Sequence, residues 1–316
     1  MAGSAFRFLS RPGGPRLRWW VAIGAIPIIL AGACWWVTEP LTDYGAPGWS
    51  NVTFRQQEAI PAEAKTLAPS SNDPPTWPQG RLDGIEAKAR LLTLLTAAAE
   101  RLTRVESYTA TFRKQERLND RLGPEQTLAM KVRQKPFAIY FKFLSPQQGK
   151  EVVYAEGHHD NKLIAHAGGV ARFLVPRLAV APDHPLALSD ARHPVTEAGL
   201  ANLTSRLIHF RRLDLNDPAA DTALDRFTDS TGRPWFRSVH THSHQEPDRP
   251  FARIEVLYDC ATIIPLDIRN YDWHSSEPAG ELALAEHYRY DDLDLEATLS
   301  SLDFDPANPA YAFHRY

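Results

Sequence analysis

The sequence predicts an α+β domain in which an antiparallel sheet packs against one or two helices. Apolar and polar side chains alternate with a period of two across residues 107–166, and polar turns separate the runs. Further alternating segments follow at residues 235–244, 252–259, 264–273 and 282–295. Two other segments repeat their apolar residues every three or four positions, which indicates helices with one apolar stripe. Such stripes are expected to be buried against the apolar face of the sheet.

The first helix is expected to begin at Asp83, where Asp83 and Glu86 have the spacing of a capping box. Its apolar stripe consists of Ile85, Leu91, Leu92, Leu95, Ala98, Ala99, Leu102 and Val105. The second helix is expected at about residues 196–213, with Arg206, Arg211 and Arg212 on its solvated side and the stripe Leu200, Leu203, Leu207, Phe210 and Leu213. Residues 172–194, between the sheet and this helix, form either a functional lid or a disordered loop. A last short strand is expected at about residues 302–304.

Four regions are predicted along the chain. Residues 1–18 are basic, and residues 19–37 form an apolar stretch with tryptophan pairs at both ends, close to the roughly 20 residues that span a bilayer. The positive-inside rule then places residues 1–18 in the cytoplasm and the rest in the periplasm or an equivalent space, which makes the chain a single-pass inner-membrane protein. Residues 38–82 form a Pro-rich linker, and residues 83–316 form the folded domain.

Two alternatives to a retained anchor remain open at this apolar stretch. Cleavage at Ala31-Gly32-Ala33 would remove it as a signal peptide, and the same residues followed by Cys34 loosely resemble the site at which bacterial lipoproteins are lipidated. All three alternatives deliver the domain to the same side of the membrane.

Composition and motifs favour a binding protein over an enzyme. The formal net charge of −3 argues against a nucleic-acid partner. The two cysteines, Cys34 and Cys260, suggest neither a disulfide nor a zinc site. The chain has no nucleophile elbow, phosphate loop, dinucleotide fingerprint or His-Glu-x-x-His motif, so no catalytic residue and no cofactor is predicted.

One histidine group is a candidate metal site. His240, His242 and His244 are spaced by two, so an extended strand would place all three rings on one face, where they could chelate zinc or copper. Residues 245–250 form an evident turn, so we expect this end of the strand to be solvated. A metal-dependent enzyme centred on these histidines is one of the functional alternatives.

Several strings carry a family resemblance. They are residues 108–117 (YTATFRKQER), 132–137 (VRQKPF), 149–154 (GKEVVY), 271–273 (YDW) and 303–311 (DFDPANPAY). Together they resemble domain of unknown function 1571, a family of bacterial envelope proteins, across roughly residues 90–314. The order of helix, meander, helix and second meander is similar to the half-barrel of bacterial lipoprotein carriers.

The resemblance implies a curved antiparallel sheet, closed by one or two helices around an apolar cavity. Phe112, Met130, Ile139, Phe141 and Val153 are the residues expected to line such a cavity, unless the helical stripes fill the same space. The leading hypothesis is therefore a membrane-tethered module that binds a lipid, an acyl chain or a lipoprotein segment. The alternative is an envelope sensor or adaptor, which would bind a partner protein through an exposed aromatic patch on the sheet.

Overall fold

The computed structural model describes residues 76–169, 177–273 and 281–313, and this part of the chain forms thirteen strands and two α-helices. The helices are α1 (Gly84–Leu102) and α2 (Leu200–Asp214). The strands are β1 (Leu82–Asp83), β2 (Ser107–Leu118), β3 (Arg121–Leu122), β4 (Gln126–Arg133), β5 (Ala138–Ser145), β6 (Glu151–Ala155), β7 (Leu163–His166), β8 (Leu178–Val180), β9 (Ala220–Thr228), β10 (Pro234–His242), β11 (Arg253–Asp259), β12 (Pro265–Tyr271) and β13 (Leu284–Asp294).

The strands form one open antiparallel sheet. Its order is β1-β9-β10-β11-β12-β13-β2-β4-β5-β6-β7-β8, with β3 paired to β2. Two meanders of sequential hairpins are therefore joined side by side where β13 pairs with β2. This architecture confirms the predicted α+β class with a large antiparallel sheet and two helices.

The N-terminal regions predicted from the sequence fall largely outside this description. The apolar stretch 19–37 and most of the 38–82 linker lie outside the described residues. Among the described helices, none is long and apolar enough to cross a membrane. The domain also begins earlier than Asp83, because Trp77 stacks on Phe236 with ring centroids 4.0 Å apart. β1 then pairs with β9 at the edge of the sheet.

Both helices lie against one face of the sheet, which we call the inner face. The main core consists of their apolar side chains and the inward-facing residues of the strands. Leu91, Leu94 and Leu95 of α1 are fully buried there, as are Tyr108 of β2 and Met130 of β4. Burial of this apolar surface is the main stabilising contribution in a domain of this kind.

The opposite, outer face carries a second and smaller core. Residues 296–313, which we call the C-terminal strap, cross the outer surface of β5, β6 and β7. Tyr311 of the strap stacks on Tyr140 with centroids 4.0 Å apart and planes 7° apart. Phe304 and Phe313 are buried beside it, against residues that include Val153.

The start of α2 depends on a glycine. Gly199 precedes the helix with φ of 100°, a backbone conformation that residues with a Cβ rarely adopt. A Cβ at this position would also lie 3.1 Å from the Tyr108 hydroxyl. That hydroxyl accepts a hydrogen bond from the backbone N–H of Leu200 at 2.8 Å, which satisfies one of the free donors of the first helical turn.

Several local predictions were wrong. Leu213, placed in the buried stripe of α2, is 39% exposed. Asp83 makes no capping hydrogen bond to α1; its carboxylate instead accepts from Arg81 at 3.0 Å. Ile85, placed in the buried stripe of that helix, is 61% exposed, since it lies in the first turn beyond the edge of the core. Arg211, expected to be solvated, is buried beside Asp214. Residues 302–304 belong to a 3₁₀-helix, Ser301–Phe304, rather than to a strand.

Candidate functional site

A cavity of about 220 Å³ lies between the inner face of the sheet and the segment that precedes α2. We call residues 177–199 the cap segment. Its residues that line the cavity lie between Leu178 and Gly199. It contains β8 and two 3₁₀-helices, Leu188–Asp190 and Val195–Glu197. The sheet contributes side chains from β2, β4, β5, β6, β7 and β13, and α2 contributes Leu203 and Arg206.

The sheet side of the cavity is aromatic and aliphatic. Phe112 is at the centre of this wall, with its ring centroid 5.8 Å from that of Phe141, 6.0 Å from that of Tyr288 and 4.9 Å from that of Tyr290. The other apolar sheet residues that line it are Leu128, Phe143, Val152, Leu163 and Ala165. An apolar cavity of about 150 Å³ is already large enough to hold a benzene-sized molecule, so this one can accommodate a larger apolar group.

The lining also contains charged side chains, and each of them has a partner of opposite charge. Lys114 contacts Glu116 at 3.1 Å. Arg206 contacts Glu197 at 2.9 Å. Lys150 forms an ion pair with Asp190 of the cap segment. The last two pairs attach the cap segment to the loop before β6 and to α2, whereas Lys114 and Glu116 both belong to β2.

A buried carboxylate below this wall also attaches the cap segment. Glu286 of β13 contacts His193 at 2.8 Å and Arg192 at 3.1 Å, both of which belong to the cap segment. Burial alone would raise the pKa of Glu286, but the charge and hydrogen bond of His193, the charge of Arg192 and the Asn270 amide lower it to about 2. Glu286 is therefore an ionised anchor for two residues of the cap segment.

Tyr288 connects this anchor to the cavity wall. Its hydroxyl donates to Glu116 at 2.6 Å and lies 3.3 Å from Glu286. Burial and the charges of these two carboxylates raise its pKa well above the ordinary value for tyrosine. Tyr288 therefore stays neutral, and its single hydroxyl contacts both Glu116 and Glu286.

The five predicted lining residues lie in three places. Phe112 and Phe141 line the cavity, whereas Met130 and Ile139 are buried in the main core. Val153 lies on the outer face, in the small core under the C-terminal strap. Its neighbour Val152 lines the cavity instead, because adjacent strand residues point to opposite faces.

The structure also brings in residues that sequence reasoning did not select. The cap segment contributes nearly half of the lining residues, including Leu186, Pro194 and Val195. Its only sequence signal was the moderately apolar, Pro-punctuated stretch at residues 172–194, for which a lid was one alternative. Glu286 and His193 gave no signal, because they are distant in sequence and meet only where the cap segment packs on β13.

The three candidate histidines do not share a site. His240 lies between Thr222 and Ser238, with contacts of 3.0 Å to both hydroxyls. His242 contacts Asp214 at 3.3 Å, and His244 contacts Glu246 at 2.7 Å on the surface. Within the described ranges, no group of three His, Cys, Asp or Glu side chains is arranged to hold a metal ion.

The expected solvation of this strand end was wrong for two of the three rings. His240 is 1% exposed and the side chain of His242 is 3% exposed. Burial, followed by the positive charges nearby, lowers the pKa of His240 well below the ordinary value, so this ring is neutral.

Away from the C-terminal strap, the outer face of the sheet carries charged pairs, and arginines cover two of its aromatic rings: Arg237 lies over Phe227 and Arg233 over Trp235. Arg237 of β10 pairs with Asp225 of β9, and Arg113 of β2 pairs with Asp291 of β13. Across the described residues, the large apolar side chains that are exposed are aliphatic: Ile85, Leu144, Leu186, Leu213, Leu282 and Leu302. The exposed aromatic patch expected of an adaptor is therefore not seen in the described part of the sheet, and a protein partner stays a prediction.

Several solved structures are similar to this chain at low identity. Mycobacterium tuberculosis lipoprotein LppX has 12% identity and a TM-score of 0.37, with 66% of this chain and 98% of that chain covered. A putative outer membrane lipoprotein-sorting protein domain from Vibrio parahaemolyticus has 13% identity and a TM-score of 0.29, covering 67% and 95%. A LolA superfamily protein from Nitrosomonas europaea has 10% identity and a TM-score of 0.28, covering 67% and 96%.

Comparison with protein families gives a more direct assignment. A search of curated protein sequences gives no match. The family model described as "Protein of unknown function (DUF1571)" matches residues 105–313, which span most of the described domain and include the cavity. The resemblance carried by the sequence strings is thereby confirmed, and the chain belongs to the DUF1571 family.

Proposed function

We propose that this domain binds an acyl chain, as part of a lipid or a lipoprotein, in the cavity between the sheet and the cap segment. The observation that supports the proposal is the cavity itself, about 220 Å³ bounded on the sheet side by Phe112, Phe141 and other apolar side chains. Protein cavities that bind small molecules are typically lined by apolar and aromatic side chains with a few polar groups.

The physical gain comes from removing methylene groups from water. Each buried methylene contributes about 0.8 kcal/mol, so six of them contribute about 5 kcal/mol before the cost of immobilising the ligand. The walls are already formed in the described structure, since Phe112 and its neighbouring rings are held by the main core. A preformed wall reduces the ordering cost of binding.

Access to the cavity is proposed to lie at the cap segment. Leu186 lines the cavity and is 57% exposed, so the lining reaches the molecular surface at this residue. An exposed leucine at a cavity rim offers a first apolar contact to an incoming chain. We further propose that the apolar stretch at residues 19–37 holds the domain at the membrane, where acyl chains are abundant.

Filling the cavity tests the proposal. Ala165 of β7 lines the cavity, whereas Ala179 of the neighbouring strand β8 is exposed. The full-length chain, purified in mild detergent, would be loaded with the neutral dye Nile red and titrated with decanol. We expect Ala165→Phe to weaken decanol binding by about tenfold or more, since the added ring occupies the space of several methylenes.

The matched control carries the same substitution outside the cavity. Ala179→Phe is expected to bind decanol like the unmodified chain. Thermal melting of both variants shows whether each is folded. The proposal fails if the unmodified chain does not bind decanol, or if both variants lose binding equally while folded.

A further inference from the structure

We infer that the part of the ligand held in the cavity is uncharged, so that the domain prefers alcohols, esters and hydrocarbon chains to ionised fatty acids. This inference rests on the proposed function and specifies its ligand class. It is drawn from the charged side chains that line the cavity, considered together.

The charges of the lining residues cancel in pairs. The described lining contains three Lys or Arg side chains and three Asp or Glu side chains: Lys114, Lys150, Arg206, Glu116, Asp190 and Glu197. Each cation contacts one of these carboxylates, in the pairs Lys114–Glu116, Lys150–Asp190 and Arg206–Glu197. Of the other titratable residues of the lining, His193 contacts the carboxylate of Glu286, and burial raises the pKa of Tyr288 and Tyr290, which keeps both tyrosines neutral.

Two of these pairs are largely withdrawn from water, whereas in the third Lys150 is 20% and Asp190 is 41% exposed. The side chains of Lys114 and Glu116 are 13% and 7% exposed, and those of Arg206 and Glu197 are 17% and 26% exposed. Lys114 also donates to the backbone carbonyl of Asp190 at 3.2 Å. A cation that already has a carboxylate and a carbonyl within hydrogen-bond distance gains little from a second anion.

An ionised ligand would therefore bring an unmatched charge. A carboxylate that entered the cavity would lose its hydration and would lie beside three carboxylates that are already paired with the available cations. An alcohol or an ester brings no net charge, and its oxygen requires only one hydrogen-bond partner. The difference between the two kinds of ligand is thus expected in the polar end group rather than in the shared apolar chain.

A pair of ligands with the same chain length tests this. Decanol and decanoate would be titrated, at neutral pH, against Nile red bound to the full-length chain. We expect decanol to bind about tenfold more tightly than decanoate, because only decanoate buries an unmatched charge. Equal binding, or tighter binding of decanoate, overturns the inference while leaving the proposed function intact. Binding of neither ligand contradicts the proposed function itself.

Removing one wall carboxylate should shift this preference. Asp190→Asn leaves Lys150 without its carboxylate partner at the cavity. We expect the preference for decanol over decanoate to fall by about fivefold, since Lys150 can then pair with the ligand. Glu197→Gln makes the same test at Arg206, in case the first variant does not fold.

The matched control removes an equal charge away from the cavity. Asp160 contacts Lys162 at 3.4 Å on an exposed turn, and Asp160→Asn is expected to leave the preference unchanged. A preference that is unchanged in folded Asp190→Asn and Glu197→Gln overturns the inference. An equal change in Asp160→Asn also overturns it, because the effect would then come from net charge alone.

Discussion

Two Arg–Asp pairs of the same length, one on each side of the sheet, differ in how deeply they are buried. On the inner side, Arg211 and Asp214 of α2 are 2.8 Å apart with side chains 3% and 1% exposed. On the outer side, Arg237 of β10 and Asp225 of β9 are also 2.8 Å apart, with side chains 29% and 17% exposed. Distance alone therefore does not distinguish the two pairs, whereas burial does.

The difference in burial determines how much stability the protein loses when one partner of a pair is removed. The outer pair can be lost with little penalty, because water solvates whichever partner remains. The inner carboxylate also contacts His242 and Arg249, each at 3.3 Å, so its loss would leave several buried groups without their acceptor. Burial makes the inner pair costly to break without making it a large source of net stability.

Removing the aspartate from each pair should produce the largest difference. Asp214→Ala is expected to lower the free energy of unfolding by about 3–5 kcal/mol, because Arg211 remains buried without its carboxylate. Asp225→Ala is expected to cost less than about 1 kcal/mol. Urea denaturation of the two variants measures both values. Similar losses in the two would mean that burial is not what separates the faces.

Acidification should lower the free energy of unfolding because Glu286, on the inner face, becomes protonated. The folded pKa of this carboxyl is lowered from 4.5 to about 2, so its contribution to stability is complete above pH 4.5. That contribution is lost as the pH falls from about 4.5 towards 2, where the folded carboxylate becomes protonated. Stability measured by urea denaturation across this range should decline steeply.

The glutamine variant isolates this contribution. Glu286→Gln removes the titrating carboxyl, so its stability should depend less on pH over the same range, although its stability at neutral pH is lower. A slope equal to that of the unmodified chain would assign the acid sensitivity to other carboxylates.

The smallest expected difference in stability between the two faces comes from removing one tyrosine hydroxyl on each of them. Tyr108→Phe leaves the buried N–H of Leu200 without an acceptor and is expected to cost about 1–3 kcal/mol. Tyr311→Phe removes the donation of its hydroxyl to the backbone carbonyl of Asp303 at 2.7 Å. It keeps the stack on Tyr140 and leaves Lys131 with the Asp303 carboxylate at 2.7 Å, and Asp303 is only half-buried, so about 1 kcal/mol or less is expected. Thermal or urea unfolding gives both values. A larger loss of stability in Tyr311→Phe than in Tyr108→Phe would contradict the expectation that hydrogen bonds of the inner face contribute more.

Periodicity predicted much of this architecture because strand and helix patterns are local. The strand runs in residues 107–166 and the four later strand segments correspond to observed strands. β9 was not predicted, since its inward residues Ala220, Thr222 and Leu224 are small or polar except for the last. A pattern with one strongly apolar position in three gives too weak an alternation to recognise.

The candidate site was less predictable because it depends on register. Phe141 pairs with Val152, and directly paired residues share a face of the sheet. Choosing Val153 instead of Val152 is a shift of one residue, which moves the side chain from the cavity to the outer face. Arg211 and His242 were expected in water because their own segments are polar around them. Their buried partner, Asp214, is identified only by the packing of α2 on the sheet.

The order of strands also has a consequence for how the chain folds. Within each meander the strands pair with near neighbours in sequence, so these hairpins can form locally; the short edge strand β1, which pairs with β9, is an exception. The pairing of β2 with β13 joins Phe112 to Tyr290, from opposite ends of the domain, and it can form only after the long intervening chain is brought back. We therefore expect this seam, which also carries part of the cavity wall, to be the slow step of folding.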